Sequence, residues 1–525
     1  MNKMLLSGNE AVARAAVDCG VTYGSGYPGT PSSEILENFS NYGGSAEWSP
    51  NEKVALEVGI GAAFARARVL VTMKHVGVNV AADPLFTVAA PGLPGELVLI
   101  SADDPGMASS QNEQDNRRYA VAAGIPMLEP ASQQDCYDML FEAFRIAREY
   151  HTAVLFRMTT RVCHSKGIVT LRDGKLPMPE IRYEKNVKSS VMVPAFAKIA
   201  HRTQDARLKE LAKTANAMAK VLRQTDSARG IITSGVSQLH ALDADSSCAV
   251  LACPMTYPVP VEACAAFVAE HPDCVVVEEG ENILADALKA AGVPVRAKAN
   301  EFRFGELDVT RVRKLLAEDT SPDPVISGGK PPALCPGCPH RKSYEALKEV
   351  NAIVSGDIGC YTLGVMPPFE AVDTCVCMGA SITVGCGMRR VLPEEDARRV
   401  VSVIGDSTFW HTGINGIVEM LYNTPETGHI VMILDNSTTA MTGLQENPGT
   451  GRKLNHTPAP ALDLESTLRG MGVAKVAVID PLSGYDTLVA TLREYMAAGE
   501  PCVIISRRSC ILAAAKQKKS QEKAK

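Results

Sequence analysis

Val400-Val401-Ser402-Val403-Ile404-Gly405-Asp406-Ser407 is the stretch whose reading decides the fold. A β-branched run broken only by Ser402 predicts a buried strand over Val400 to Ile404, and its abrupt end in Gly405-Asp406-Ser407 predicts a polar tip. Thirty positions after Asp406 the pattern returns, with Ile430 to Leu434 ending in Asp435-Asn436-Ser437. Open parallel sheets bind ligands outside the carboxyl ends of their strands, so both tips are expected to face one crevice. Two Asx turns closing strand ends are the alternative reading.

Outward from this point, short β-branched runs alternate with Ala-rich helical stretches, the pattern of parallel sheets covered by helices. The fold class is α/β, with three open, mostly parallel-sheet domains. Helices are predicted at Glu10 to Cys19, Ser32 to Phe39 and Asn51 to Arg66. Strands are predicted at Val21 to Tyr23, Val69 to Met73, Leu97 to Ser101, Ala153 to Arg157, Gly230 to Thr233, Ala249 to Leu251 and Val275 to Val277. The expected domains are 1–175, 227–320 and 333–512, with a connector over 176–226, a Pro-rich linker over 321–332 and a disordered basic tail over 513–525.

With 525 residues, the chain exceeds what one hydrophobic core organises. Its 46 % hydrophobic and 21 % charged residues are ordinary for a globular protein, and a net charge of -6 opposes a nucleic-acid groove. No window is apolar enough for a membrane span, and Met1 to Glu10 lacks a signal peptide's apolar core, so a cytoplasmic location is expected. Fifteen cysteines without an export signal argue for reduced thiols and metal ligation.

The Asp406/Asn436 spacing resembles the thiamine-diphosphate motif, in which Gly-Asp-Gly is followed by Asn, with Ser407 in place of the last glycine. Mg²⁺ takes oxygen ligands and keeps diphosphate oxygens among them, so Asp406, Asn436 and the Thr438 carbonyl suffice from the protein. A helix after Gly413 and the turn Gly379-Ala380-Ser381 are expected to aim N–H groups at the diphosphate. A thiamine cofactor also needs a carboxylate at its aminopyrimidine, held in an apolar setting. Glu57, within Val54-Ala55-Leu56-Glu57-Val58-Gly59-Ile60-Gly61, is the catalytic candidate, while Glu52 at the polar start of the helix suits capping.

Cys335-Pro336-Gly337-Cys338, with Cys360 and Cys510 further on, suits iron–sulfur or zinc ligation on spacing, a redox disulfide pair being the other reading. Cys375, Cys377 and Cys386 lie in an apolar stretch and are expected to be small buried core residues. His75 and His411 follow strand ends and suit either proton exchange or a structural role.

Together these stretches resemble the 2-oxoacid:ferredoxin oxidoreductases, specifically the indolepyruvate large-subunit family. The resemblance is carried by Gly26 to Ser33, Asn51 to Ala63, Met73-Lys74-His75-Val76-Gly77, Ser101 to Gly106, Gln111 to Arg117, Cys335 to Arg341, Gly356 to Gly364 and Gly405 to Gly443. It implies a thiamine diphosphate and Mg²⁺ site between two α/β domains, with Gly405 and Ser407 beside Asp406. It also implies that Thr30 lies near the substrate carboxylate, that Glu57 activates the cofactor, and that Cys335, Cys338, Cys360 and Cys510 hold a 4Fe-4S cluster, with Cys502 the competitor of Cys510. The implied reaction is oxidative decarboxylation of arylpyruvates to acyl-coenzyme A. A non-oxidative thiamine decarboxylase and a silent scaffold subunit are the rivals.

Members of this family usually continue into a ferredoxin-like domain, whereas the sequence stops fifteen residues after Cys510. Electrons are then expected to leave through a smaller gamma-like partner subunit of a hetero-oligomer, or directly to ferredoxin or another acidic carrier docked with help from Arg507, Arg508 and the Lys-rich tail.

Overall fold

The computed structural model describes residues 2–324 and 332–523, and the chain forms two compact units, Met1–Pro324 and Val325–Lys525. The first unit is built on a seven-stranded sheet in the order Met255–Tyr257, Met127–Leu128, Ala153–Thr159, Glu96–Asp103, Arg68–Lys74, Tyr23–Gly26, Ala46–Trp48. All neighbours run parallel except Met255–Tyr257, which is antiparallel to Met127–Leu128. The central strands are buried on both faces, which is why Arg68–Lys74 and Glu96–Asp103 read as nearly continuous apolar runs.

A second sheet in the same unit has the order Asp273–Val277, Arg229–Thr233, Ala249–Ala252, Lys220–Arg223. Residues 1–175 and 227–320 were expected as separate domains, yet here they are interlocked. Met255–Tyr257 leaves the second sheet's sequence region to complete the first, and buried Arg117 donates to the Glu279 and Glu281 carbonyls at 2.7 and 2.9 Å. The connector contains a 25-residue helix, Pro194–Met218, and then contributes Lys220–Arg223 to the second sheet.

The second unit carries six parallel strands in the order Thr374–Cys375, Ile353–Gly356, Val400–Gly405, His429–Asp435, Pro501–Arg507, Lys475–Ile479. Val400–Gly405 and His429–Asp435 are neighbours in register, with Gly405 opposite Leu434, so the two predicted polar tips emerge side by side. Residues 325–331 of the expected linker lie outside the described residues. The expected disordered tail is instead helical over Ile511–Lys523, the Ala-rich start Leu512 to Lys516 having high helix propensity.

The strands that were expected follow the apolar pattern closely, with one local misfit. Val21 to Tyr23 was expected to be extended, but the strand is Tyr23–Gly26. Gly24 and Gly26 weakened its signal; a Cβ on Gly26 would stand 2.6 Å from the Thr72 carbonyl, so only glycine lets these strands approach.

Candidate functional site

In the first unit, the carboxyl ends of Tyr23–Gly26, Arg68–Lys74 and Glu96–Asp103 collect the polar groups. The helix Glu52–Phe64 begins beside them, capped by Asn51, whose side-chain oxygen accepts from the Val54 N–H at 2.9 Å. Glu52, Ala55, Leu56, Gly59 and Ala63 are its buried face, a spacing of three and four residues. Gly59 lets that face close on the sheet, since a Cβ there would meet Val71 at 2.6 Å.

The structure corrects the premise on which Glu57 was chosen. One residue past Leu56 turns the side chain about 100° away from the core, and Glu57 is 45 % exposed and ion-paired with Lys53 on the outer face. Glu52 is instead the buried carboxylate, only 4 % exposed, packed so closely on Gly77 that a Cβ there would lie 2.6 Å from Glu52 Oε1. Of the apolar neighbours of Glu57 in sequence, Ala55, Leu56, Gly59 and Ala63 belong to the buried side of the helix, while Val58 and Gly61 are exposed with it.

His75 is fully buried, its Nε2 lying 2.8 Å from the Asn112 carbonyl oxygen, while its Nδ1 is buried without a hydrogen-bond partner among the described residues. Thr30 is half-buried, and its carbonyl accepts from Ser109 Oγ at 3.5 Å. Lys74, unremarked within its motif, reaches the same loop and donates to the Ser109 carbonyl at 3.2 Å. Its ammonium is held below the usual lysine range by burial, with Asp104 and Glu52 opposing that shift.

In the second unit, Asp406 opens a helical run that continues from Asp406–Thr408 through a π turn at Phe409–Gly413 into Ile414–Tyr422. The helix was expected after Gly413, but it starts at the strand tip itself. Asp406 is buried, and burial first, then the neighbouring Asp435 carboxylate, raise it to about 7. Backbone N–H groups of Ser407 and Asn436 face it and partly offset this. Asn447, missed by spacing because it sits in a later loop, donates to Asp406 Oδ2 at 3.1 Å. Asn436 Oδ1 accepts from the Thr438 N–H at 3.2 Å, and its Nδ2 lies 3.2 Å from His340 Nε2. Burial holds His340 at about 4, so its ring is neutral. Ser407 Oγ is 2.7 Å from Thr439 Oγ1.

This set fits Mg²⁺: a buried carboxylate lacking a cationic partner among the described residues, and an amide side chain on the neighbouring strand tip. Asp435 already has its cation in Arg507, at 2.7 Å.

The turn Gly379-Ala380-Ser381 is committed elsewhere. The Gly379 and Ser381 N–H groups donate to Asp357 at 2.8 and 2.9 Å, and the Ala380 N–H to the Cys377 carbonyl at 3.2 Å. The amides expected to meet a diphosphate are thus spent on a buried aspartate at the tip of Ile353–Gly356. His411 is buried in the π turn with Nδ1 3.0 Å from Thr412 Oγ1.

The cysteines divide clearly. The Cys338 N–H donates to the Cys335 carbonyl at 3.0 Å in a turn that Gly337 permits with φ +77°. Burial first, then the Cys338, Cys510 and Cys335 thiols, push the Cys360 thiol up to about 11. The four therefore lie within electrostatic reach of one another. Cys502 is fully buried at the opposite end of Pro501–Arg507, its Sγ 3.4 Å from the Glu500 carbonyl, and it shares no such interaction with the other three. Cys386 is buried as expected, but Cys375 and Cys377 are exposed, because Cys375 ends a two-residue edge strand and Cys377 lies just beyond it. Among the described residues, no three His, Cys, Asp or Glu side chains converge on a single-ion site.

Residues 14–229 match the family "Pyruvate flavodoxin/ferredoxin oxidoreductase, thiamine diP-bdg", and residues 357–506 match "Thiamine pyrophosphate enzyme, C-terminal TPP binding domain". Fold and site thus define a thiamine-diphosphate-dependent 2-oxoacid oxidoreductase. The chain is 36 % identical to indolepyruvate oxidoreductase subunit IorA of Archaeoglobus fulgidus, covering 97 % of this chain and 87 % of that protein. It is 37 % identical to the subunit IorA of Methanothermobacter marburgensis over 97 % and 87 %, and 35 % identical to that of Pyrococcus horikoshii over 97 % and 86 %. The chain belongs to this IorA family of oxidoreductase subunits. The fold is also similar to 2-oxoglutarate:ferredoxin oxidoreductase from Magnetococcus marinus, at TM-score 0.50 and 16 % identity over 61 % of this chain and 65 % of that one.

Proposed function

We propose that this chain is the large subunit of an enzyme that oxidatively decarboxylates arylpyruvates, such as indolepyruvate, phenylpyruvate and hydroxyphenylpyruvate, to their acyl-coenzyme A products. A 4Fe-4S cluster would be held by the thiol quartet and would supply an electron acceptor, with ferredoxin or a smaller partner subunit as the exit. The observation that carries the reading is the hydrogen bond from the Cys510 N–H to the Asn436 carbonyl at 3.0 Å, which ties the thiol quartet to the strand tip beside Asp406. Oxidation needs an electron acceptor beside the decarboxylation site, and a non-oxidative decarboxylase has no use for one.

Thiamine diphosphate, when bound, supplies the carbanion and the electron sink for release of CO₂. Asp406, Asn436 and the Thr438 carbonyl hold its Mg²⁺, while Gly405 and Ser407 line the same tip. Glu52, rather than Glu57, holds the proton at its carboxylate that the aminopyrimidine requires. Its burial against Gly77 keeps water from competing for that carboxylate. Thr30 and His75 flank the substrate, His75 with Nδ1 available for a proton, and His411 lies one helical turn from Asp406. Cys335, Cys338, Cys360 and Cys510 hold the cluster.

Arg507 pairs with Asp435 and Arg508 with Asp480 at 2.8 Å, and both guanidinium groups stay partly exposed to solvent, which is compatible with a part in docking an acidic carrier. Anaerobic purification with the partner subunit, iron analysis and a coenzyme-A-dependent dye-reduction screen of 2-oxoacids tests the reading. Bound iron with arylpyruvate-dependent reduction supports it; full turnover by iron-free protein overturns it.

A further inference from the structure

We infer that Lys74 is the group that anchors the carboxylate of the 2-oxoacid, so that this site selects anionic substrates through a lysine at the tip of a central strand. The inference rests on the proposed 2-oxoacid chemistry and adds the residue that recognises the acid.

Lys74 ends the strand Arg68–Lys74, between two parallel neighbours, where an α/β sheet presents its ligand crevice. An ammonium has three donors, and among the described residues Lys74 Nζ uses one, on the Ser109 carbonyl at 3.2 Å. Asp104 is the nearby acid that would ordinarily saturate it. That carboxylate is already engaged: Oδ2 accepts from the Ser109 N–H at 2.8 Å and from Ser110 Oγ at 2.6 Å, and Oδ1 accepts from Thr160 Oγ1 at 2.9 Å. These bonds hold Asp104 below the usual carboxylate range against its burial. Asp104 is thus a fixture of the loop, and Lys74 keeps donors for another partner.

The approach to that partner is shaped. The Lys74 stem lies along Gly29, where a Cβ would stand 3.1 Å from both Cγ and Cδ, so the glycine beside Thr30 makes room for the extended lysine. Ser109 links the two sides, accepting from Lys74 at its carbonyl and donating to the Thr30 carbonyl through its hydroxyl. A buried carboxylate, Glu52, acts on Lys74 from the same neighbourhood. An anionic substrate brought near Glu52 would be repelled, and an ammonium set beside that carboxylate removes the repulsion while offering charge-assisted hydrogen bonds to the incoming acid.

The test uses the anaerobically purified complex with its partner subunit, in the parent form and as Lys74→Met and Lys74→Arg. Phenylpyruvate and its methyl ester are the paired substrates. In Lys74→Met the KM for phenylpyruvate should rise about ten- to hundredfold. The ester should be little affected, so the preference for acid over ester collapses. Hydrogen–deuterium exchange at C2 of the bound cofactor, measured without substrate, should stay at the parent rate, and Lys74→Arg should recover part of the loss. Direct phenylpyruvate binding by calorimetry gives a readout independent of turnover. An unchanged acid-to-ester preference in Lys74→Met overturns the assignment. So does a loss confined to C2 exchange, which would make Lys74 a positioning residue for Glu52. A parent complex that turns over no 2-oxoacid overturns the functional reading and this inference together, whereas a Lys74 variant indistinguishable from an active parent overturns only the latter.

Discussion

Replacing Glu52 and Glu57 separately by glutamine sets two carboxylates of one helix against each other. The pair that Glu57 makes with Lys53 is solvent-exposed and screened, so Glu57→Gln should leave stability and cofactor activation nearly unchanged. Glu52→Gln keeps the shape of a side chain packed on Gly77, so no cavity opens and folding should be preserved. What it removes is proton exchange at the carboxylate. A positioned general base or acid contributes about 10²- to 10⁴-fold in rate, which is about 3–5 kcal/mol of barrier. The assay is acid-quench NMR of deuterium exchange at C2 of the bound cofactor, with binding checked by calorimetry. A third variant, Gly77→Ala, probes the same carboxylate without touching it. Its added Cβ would sit 2.6 Å from Glu52 Oε1, so it should displace the carboxylate and slow exchange. Full exchange in Glu52→Gln together with its loss in Glu57→Gln would refute the assignment.

Further outcomes follow from the same geometry. Cys510→Ser should strip most of the iron from anaerobically purified protein while Cys502→Ala retains it; iron lost only from the Cys502 variant would reverse the choice of fourth ligand. Asp406→Asn should weaken Mg²⁺-dependent binding of thiamine diphosphate at least about tenfold by calorimetry, because a charge-assisted ligand becomes neutral. Glu279, fully buried, is raised by burial from 4.5 to about 7. The folded chain therefore keeps this proton where the unfolded chain has lost it. The stability tied to Glu279 is present below about pH 4.5 and lost as pH rises through about 7. Glu279→Gln should flatten that part of the urea-midpoint profile, and an identical profile in parent and variant would contradict it.

The long central strands were legible because burial on both faces leaves an unbroken apolar run, as in Arg68–Lys74 and His429–Asp435. Domain limits were not, because the strand Met255–Tyr257 is three residues long and its partner Met127–Leu128 only two. Pairing between such short segments leaves no periodic trace, yet it merges the two expected domains. Asn447 and Lys74 escaped notice for another reason. Asn447 reaches Asp406 from a loop 41 positions later, and Lys74 is one polar residue closing an apolar strand. Glu57 is the instructive error: its neighbours were read in sequence order, while a helix sorts them at 100° per residue. Applying that rotation to Asn51–Ala63 would have singled out Glu52 as the acid sharing a face with Ala55, Leu56 and Gly59.

The expected diphosphate turn fails for a reason that also explains how the second unit is held together. Asp357 lies 22 and 24 positions before Gly379 and Ser381, and its two oxygens take their N–H groups. The same loop's Ile358 carbonyl accepts from Thr408 Oγ1 at 3.0 Å, two residues past Asp406. Cys360 follows at once, and its thiol interacts with that of Cys510, whose N–H reaches the Asn436 carbonyl. Three adjacent strand tips, those of Ile353–Gly356, Val400–Gly405 and His429–Asp435, are thereby joined by short side chains bonded to backbone groups and by one backbone–backbone hydrogen bond. A buried aspartate spent on holding a turn costs desolvation, seen in the upward shift of Asp357, and ligand binding alone would not require it. Under the proposed oxidative reading such rigidity has a use, because electron transfer rewards a fixed distance between the oxidised centre and its acceptor. Asp357→Asn should on this argument lower the rate of cluster reduction more than it lowers cofactor affinity. Rapid-mixing absorbance of the cluster checks this against calorimetry of the cofactor, and equal losses in both would remove Asp357 from the electron path.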